Sequence, residues 1–391
     1  MKINWSGRSH DYSSKDISYL TKIIKKADPL TQGKYLKDFQ IAFGNYIGRK
    51  NVFAVSSAAA ALEIIAILLN LKKGDEVIIP AHTYCATAIP FARNGAKIIW
   101  SDINFNTRVV DINDIKNKIT KKTKAIIIVH LYGYTVNFNP IVSYCNKKKI
   151  KIIEDCAQAF GARINSRKAG SLGDFACFSF HAQKNITTLG EGGAIFCKDN
   201  ILAKKIRGLR HNGHSNYNNK RKSYWKPAMG NLSLDIKGKW PYKFTLSEIQ
   251  AAAGYMLLKR VDKLNLKRIE RAKKFINALK NFNEVSFFSE FKNYRHVYHL
   301  LSAYIVPSKK LHRDKLISLL FNKFGIKCVV QYYPLYRYDL FKSMGLSKSN
   351  CPITDKFYDN MISFPFHIQM SEKKFNYMIS STIKALKILT K

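Results

Sequence analysis

Between about residues 50 and 200, short apolar runs alternate with stretches of helical periodicity. The runs are NVFAVS, EVIIPA, KIIWSDI, AIIIVHLYG, KIIEDC, FACFSF and GAIFCK. Several are apolar at nearly every position, the pattern of strands buried on both faces of a mostly parallel sheet. Between the first two, SAAAALEIIAILLNLKKGD predicts an alanine-rich helix that stops at Gly74. Strands alternating with helices imply an α/β domain with crossover connections.

Beyond residue 200 the pattern changes. IRGLRHNGHSNYNNKRKSYWKPAMGN is polar, basic and aromatic, and predicts a long ordered loop. SEIQAAAGYMLLKRVDKLNLKRIERAKKFINALKNF has apolar residues every three to four positions and predicts one or two helices. From about residue 295, HLLSAYIV and KCVVQYY predict short strands which, with the terminal helices, make a smaller α+β domain. SSKDISYLTKIIKKA predicts an N-terminal helix packed on that small domain or across an interface. The expected division is an N-terminal segment packing with the small domain (1–30), a large domain (31–255) and a C-terminal small domain (256–391). No internal repeat or low-complexity linker interrupts it.

Composition narrows the class. The chain has 391 residues, 46% hydrophobic and 24% charged, which suits a folded protein with a large core. The opening MKINWSGRSHDYSSKD lacks the apolar centre of a secretory signal. No apolar run reaches the roughly 18 residues of a spanning helix, so no membrane partner is expected. Seven scattered cysteines without a Cys-x-x-Cys pair predict free thiols in a reducing cytoplasm and no metal site. The net charge of +40 admits a polyanion partner. Yet the lysines lie in dispersed patches such as KNKITKKTK and NKKKIK, with no basic arm or stacking module, so nucleic acid is not expected. A positive field would still attract a small diphosphate-bearing molecule.

One lysine is set apart by its surroundings. KIIEDCAQAF places Asp155 at a strand end with Gln158 three residues on, FACFSF ends near Ser179, and Lys184 follows before GEGG. Ends of neighbouring parallel strands converge on one crevice, and the glycines let the backbone turn close to a ligand. An amine, an acid and a phosphate site are what pyridoxal phosphate (PLP) requires. The carboxylate favours a protonated ring nitrogen, and the lysine moves a proton as base and then acid. An amine at its ordinary pKa of ~10.4 is a poor base at neutral pH, so the site must depress it. For the phosphate, AVSSAAAAL enters a helix directly after a strand, offering unpaired N–H groups beside Ser57. Tyr84, in PAHTYCATA, can stack on the ring.

The chain resembles the DegT/DnrJ/EryC1/StrS sugar aminotransferases, of fold type I PLP-dependent architecture, over almost its whole length. The motifs are LTQGKYLKDFQIAFGNYIG (30–48), VSSAAAAL (55–62), PAHTYCATA (80–88), HLYG (130–133), EDCAQAFGA (154–162), FSFHAQKNITTLGEGGA (178–194), LRHNG (209–213) and TLSEIQAAAG (245–254). VYHL (297–300) and QYYPLY (331–336) are weaker echoes. The resemblance implies that Lys184 is the Schiff-base lysine and that Asp155 partners the ring nitrogen. It implies that Gln158 contacts the ring-hydroxyl side, that Ser179 and the Ser57–Ala58 turn hold the phosphate, and that Tyr84 stacks. It also implies a PLP-binding large domain and a homodimer with shared active sites. The implied reaction transfers an amino group, usually from glutamate, to a keto group of a nucleotide-linked sugar.

The chain departs from the family pattern at three places. Ala58 and Ala59 replace the usual Gly-Thr, which removes a hydroxyl and keeps the backbone donors. Lys243 stands where an asparagine often reaches the partner's phosphate, and Gln331 stands where a histidine often precedes the substrate-side tyrosine, here Tyr332. Family 3-dehydratases carry histidine at the lysine position, so Lys184 favours transamination. Dehydration, or amination of a keto-inositol, is the alternative within the family, and a basic nucleic-acid binder is the alternative outside it.

Overall fold

The computed structural model describes residues 1–6, 9–214, 236, 238–289 and 291–390. All seven apolar runs form strands of one sheet. They are β1 (Val52–Val55), β2 (Glu76–Pro80), β3 (Lys97–Ser101), β4 (Thr123–Val129), β5 (Lys151–Asp155), β6 (Phe175–Ser179) and β7 (Gly193–Cys197). Their spatial order is β1-β7-β6-β5-β4-β2-β3. β7 runs against both its neighbours, and the pairs from β6 to β3 are parallel. Ile78, Ile79 and Ile126 to Ile128 are fully buried, so both faces of the sheet are covered and strand alternation is lost.

Three N-terminal helices are α1 (Ser14–Lys26), α2 (Lys34–Ile47) and α3 (Ala58–Leu68). The Ser57 side chain caps α3 by accepting the Ala60 N–H at 3.0 Å. Every residue of α3 from Ala60 on is buried, which explains its lack of a polar face. It ends at Leu68, short of the expected Gly74, because Asn70 turns to a left-handed φ of 49°. The long periodic stretch forms two helices, α4 (Glu248–Leu258) and α5 (Val261–Ala278). The buried Glu248 carboxylate accepts the N–H groups of Gly33 and Tyr35 at the start of α2, where the helix field favours an anion.

A second sheet of β8 (Val285–Ser286), β9 (Leu301–Ile305) and β10 (Met361–Phe364) is antiparallel, in that order. With α6 (Arg313–Phe324) and α7 (Glu372–Thr390), it encloses a core containing Phe275, Leu316, Leu320, Phe364 and Phe375. The segment KCVVQYY, expected as a strand, makes only the isolated pairing of Val329 with Ser363; Ile326, just before it, pairs with Ile3. The remainder turns toward the site described below. In the N-terminal segment, α1 lies against α4, and the adjoining Arg260 meets Asp16 at 2.9 Å. The expected loop of 206–231 begins inside a helix ending at Leu209, and its part from 215 on lies outside the described residues. No helix among the described residues is long and apolar enough to cross a membrane.

Candidate active site

Strand register gathers the site. Val129, Asp155 and Cys177 are aligned across β4, β5 and β6 at their C-terminal ends. Val55, Gly193 and Ser179 are aligned across β1, β7 and β6. Asp155, Ser179 and the Ser57–Ala58 turn therefore share one edge of the sheet, where α/β folds hold ligands. Gly193 is a steric requirement of this edge. A Cβ there would lie 2.4 Å from the Ser57 carbonyl carbon and 2.6 Å from the Ala58 nitrogen. Only glycine lets the N-terminus of α3 settle against the start of β7.

Lys184 sits on a closed excursion between β6 and β7. Phe180 N–H donates to the Gly192 carbonyl at 2.8 Å, and Ala182 N–H to that of Gly190 at 2.7 Å. The Thr187 and Thr188 hydroxyls donate to the carbonyls of Phe180 and Glu191, fixing the loop from within. The side chain is half-buried. Burial lowers the amine from 10.5 to about 8, against the opposing pull of Asp155, Glu191 and Cys177. That brings the neutral amine within reach of neutral pH.

Asp155 is buried. Its Oδ2 accepts the Thr87 hydroxyl at 2.9 Å and its Oδ1 accepts the Ala157 N–H at 3.1 Å. Gln158 is held at both ends: Oε1 accepts the Tyr132 N–H at 2.8 Å, and Nε2 donates to the Tyr332 hydroxyl at 2.7 Å. Burial raises the Tyr332 phenol above its ordinary range, so it stays protonated. Tyr84 is 58% exposed, and its ring meets that of Tyr332 edge-on at 6.1 Å. Ser179 Oγ accepts a long bond from the His181 N–H at 3.4 Å. Lys243 is exposed and pairs with His211, and the next carbonyl, of Phe244, accepts the Ser56 N–H. Lys243 thus borders the turn at the start of α3.

Several contributors escaped the sequence reading. Thr87 lies within the PAHTYCATA motif, and its bond to Asp155 spans 68 positions. Tyr132 carries its hydroxyl to the Gln331 carbonyl and to His82, both at 2.6 Å. The Asn185 amide donates to Asn265 and to the Val297 carbonyl, and its oxygen faces His299. His10 Nε2 meets the Lys184 carbonyl at 2.8 Å.

Beside Asp155, Glu154, His130 and Cys156 place potential metal-binding atoms close together. Their hydrogen bonds make this a structural knot. His130 Nδ1 accepts the Val136 N–H, and Nε2–H donates to Glu154, whose oxygens also accept from Gly170, Leu172 and Gly173. Burial alone would raise the Glu154 pKa; His130 and the glycine N–H groups outweigh it and bring it below the usual range.

The donor set suits pyridoxal phosphate. An amine of lowered basicity and a buried carboxylate stand near a helix N-terminus flanked by two serine hydroxyls. Gln331 Oε1 is buried without a partner among the described residues, in the wall of a cleft shared with Lys184, His299 and Tyr332. A buried acceptor left open there awaits a donor from a bound molecule.

Residues 11–382 match the model of the DegT/DnrJ/EryC1/StrS aminotransferase family. The chain is 32% identical to the dTDP-3-amino-3,6-dideoxy-alpha-D-galactopyranose transaminase of Aneurinibacillus thermoaerophilus, over 89% of each chain. It is 28% identical to the GDP-perosamine synthase of Vibrio cholerae, again over 89% of each. Its fold superposes on Spr1654 of Streptococcus pneumoniae in the PLP-form with a TM-score of 0.86, 26% identity and full coverage of both chains. With the amine, acid and helix N-terminus on one sheet edge, these matches show that the chain belongs to the DegT/DnrJ/EryC1/StrS aminotransferase family.

Proposed function

We propose that this aminotransferase moves an amino group, supplied by glutamate, onto a keto group of a nucleotide-linked sugar. The relatives named above act on GDP- and dTDP-linked sugars, which supports the substrate class. The cofactor is pyridoxal phosphate, as in the PLP-form of Spr1654. When bound, it supplies an electron sink for the carbon that loses its proton.

The residues divide the remaining work. Lys184 Nζ holds the cofactor and carries the proton, a role its lowered basicity suits. Asp155 would partner the ring nitrogen and favour its protonated form, with Thr87 and the Ala157 N–H fixing the carboxylate. Ser57, the Ala58 N–H and Ser179 hold the phosphate, and Lys243 adds a positive charge near that turn. Gln158 fixes Tyr332 at the substrate side, and Tyr84 would stack on the ring. Two copies of the chain complete two sites. The location we assign is the cytoplasm, on seven free thiols.

The observation that carries this reading is the register that sets Asp155, Ser179 and the Ser57–Ala58 turn on one sheet edge, with the Lys184 loop leaving from that edge. Incubation with PLP gives an absorbance band that Lys184→Ala lacks. With 15N-glutamate and a panel of GDP-, dTDP- and UDP-linked keto sugars, at least one yields a labelled amino sugar. A wild-type chain that stays colourless, or a panel without amino product, overturns the proposal.

A further inference from the structure

The backbone of Lys184 is pinned from a distance. Its N–H donates locally to the His181 carbonyl at 2.9 Å. Its C=O is met by His10 Nε2 at 2.8 Å, from 174 positions away in sequence. A carbonyl only accepts, so His10 is the Nε2–H tautomer, and its Nδ1 is buried without a partner among the described residues.

His10 is 4% exposed. Its segment is anchored in turn by Arg260, which donates to the Asp11 carbonyl and pairs with Asp16. The next residue, Asn185, is clamped from the other side by Asn265, Val297 and His299. The Lys184–Asn185 peptide is thus gripped between the N-terminal segment and the start of the small sheet. A cavity of about 540 Å³ lies between the two segments, walled by Ser9, His10 and Tyr12 on one side and by Ala182, Gln183 and Thr187 on the other.

We propose that His10 is a positioning residue for Lys184: its Nε2–H holds the lysine's own carbonyl and thereby sets where the amine reaches. With N–H and C=O both fixed, only the side-chain torsions of Lys184 remain free, which is the preorganisation a group-transfer lysine needs. His10 remains neutral while it does this, because burial lowers its pKa to about 4, with Arg268 and Arg260 adding to the depression and the Lys184 carbonyl and Asp11 opposing it. The groups that face the Lys184 amine itself are Asp155, Glu191, Cys177 and His299. His10 therefore acts as a fixed donor throughout the range in which the amine titrates.

The proposal rests on Lys184 being the cofactor lysine, and its first readouts are independent of cofactor turnover. In the PLP-free chain, cyanate labels neutral amines, and peptide mass spectrometry reports the Lys184 rate as a function of pH. Wild type reaches half its limiting rate near pH 8. Glutamine places an amide nitrogen where Nε2 lies, whereas asparagine places its own near Nδ1. His10→Gln should keep the wild-type profile. His10→Asn should move the midpoint upward by about half a unit or more as the loop admits water, and lower kcat about tenfold or more with little change in KM. Melting temperatures separate these effects from unfolding.

Nitrogen NMR of the wild-type imidazole needs no variant and should show the Nε2–H tautomer between pH 6 and 9. An Nδ1–H tautomer overturns the proposal. So does a folded His10→Asn that labels and turns over like wild type, or a folded His10→Gln that fails alongside it. A wild type that binds no PLP would instead sink the cofactor assignment, and the tautomer result would stand apart from it.

Discussion

An amine kept at low basicity by its surroundings should cost the empty protein stability, and Lys184→Met tests this. Burial depresses the amine from 10.5 to about 8. At 1.36 kcal/mol per unit this corresponds to roughly 3 kcal/mol. Because the side chain is half-buried and the loop can relax, the expected gain from methionine is about 1–3 kcal/mol. The sign follows from proton counting. Between pH 8 and 10.5 the unfolded chain holds a proton on this lysine that the folded chain has released, so wild-type stability rises with pH there. Below pH 8 both states are protonated and the folded state carries the whole penalty. Urea unfolding of the PLP-free proteins should place the methionine variant at a higher midpoint at pH 7. The advantage should shrink through pH 10.5 and level off above it, where the unfolded chain too has lost the proton at this position. Other lysines titrate in both proteins and cancel in the difference. Equal midpoints at pH 7, or a gain that does not change with pH, would refute the reasoning.

Other changes probe the frame around the lysine. Gly193→Ala drives a methyl into the Ser57–Ala58 backbone, which overpacking makes about 1–3 kcal/mol unfavourable; PLP binding measured by absorbance should weaken about tenfold, with Lys184 labelling unchanged. Thr87→Val removes the hydroxyl donor to Asp155 Oδ2, leaving a buried carboxylate short of a partner; kcat should fall about tenfold, a loss of roughly 1–2 kcal/mol. Glu154→Gln turns an amide N–H₂ toward groups that themselves donate, namely Gly170 N–H and His130 Nε2–H in the present bonding; urea unfolding should show a loss of about 1–3 kcal/mol or more. Glu154 is held below its usual range, so its contribution is present above pH 4.5 and disappears as pH falls through its lowered folded value.

The large sheet could be read from the chain because its strands are buried on both faces: unbroken runs such as EVIIP and AIIIV leave no solvent-facing position to obscure them. The same rule misled at KCVVQYY. There the apolar residues serve the site, with Tyr332 bound to Gln158, and the backbone forms only isolated pairings. The helix after β1 was legible in its start, which a serine cap announces, but not in its end, which a non-glycine left-handed residue sets at Asn70. Asp155, Ser179 and Lys184 could be located from strand endings and a glycine-rich turn. Their supports could not. Thr87 and His10 act across 68 and 174 positions, distances at which no local pattern marks a partner and only the register of parallel strands or the path of the N-terminal segment brings the atoms together. GEGG reads as a tight turn close to a ligand; at Gly193 the φ is not left-handed, and the need is for space against Ser57 and Ala58.

The central claim is that Lys184, among 66 basic residues, is the one that takes the cofactor. Borohydride reduction of the protein after incubation with PLP, followed by peptide mass mapping, tests it most directly. The account predicts a single pyridoxyl adduct on the peptide containing Lys184, absent from Lys184→Ala and much reduced in Gly193→Ala at limiting PLP. An adduct confined to other lysines, or equal labelling of Lys184→Ala and wild type, would contradict it.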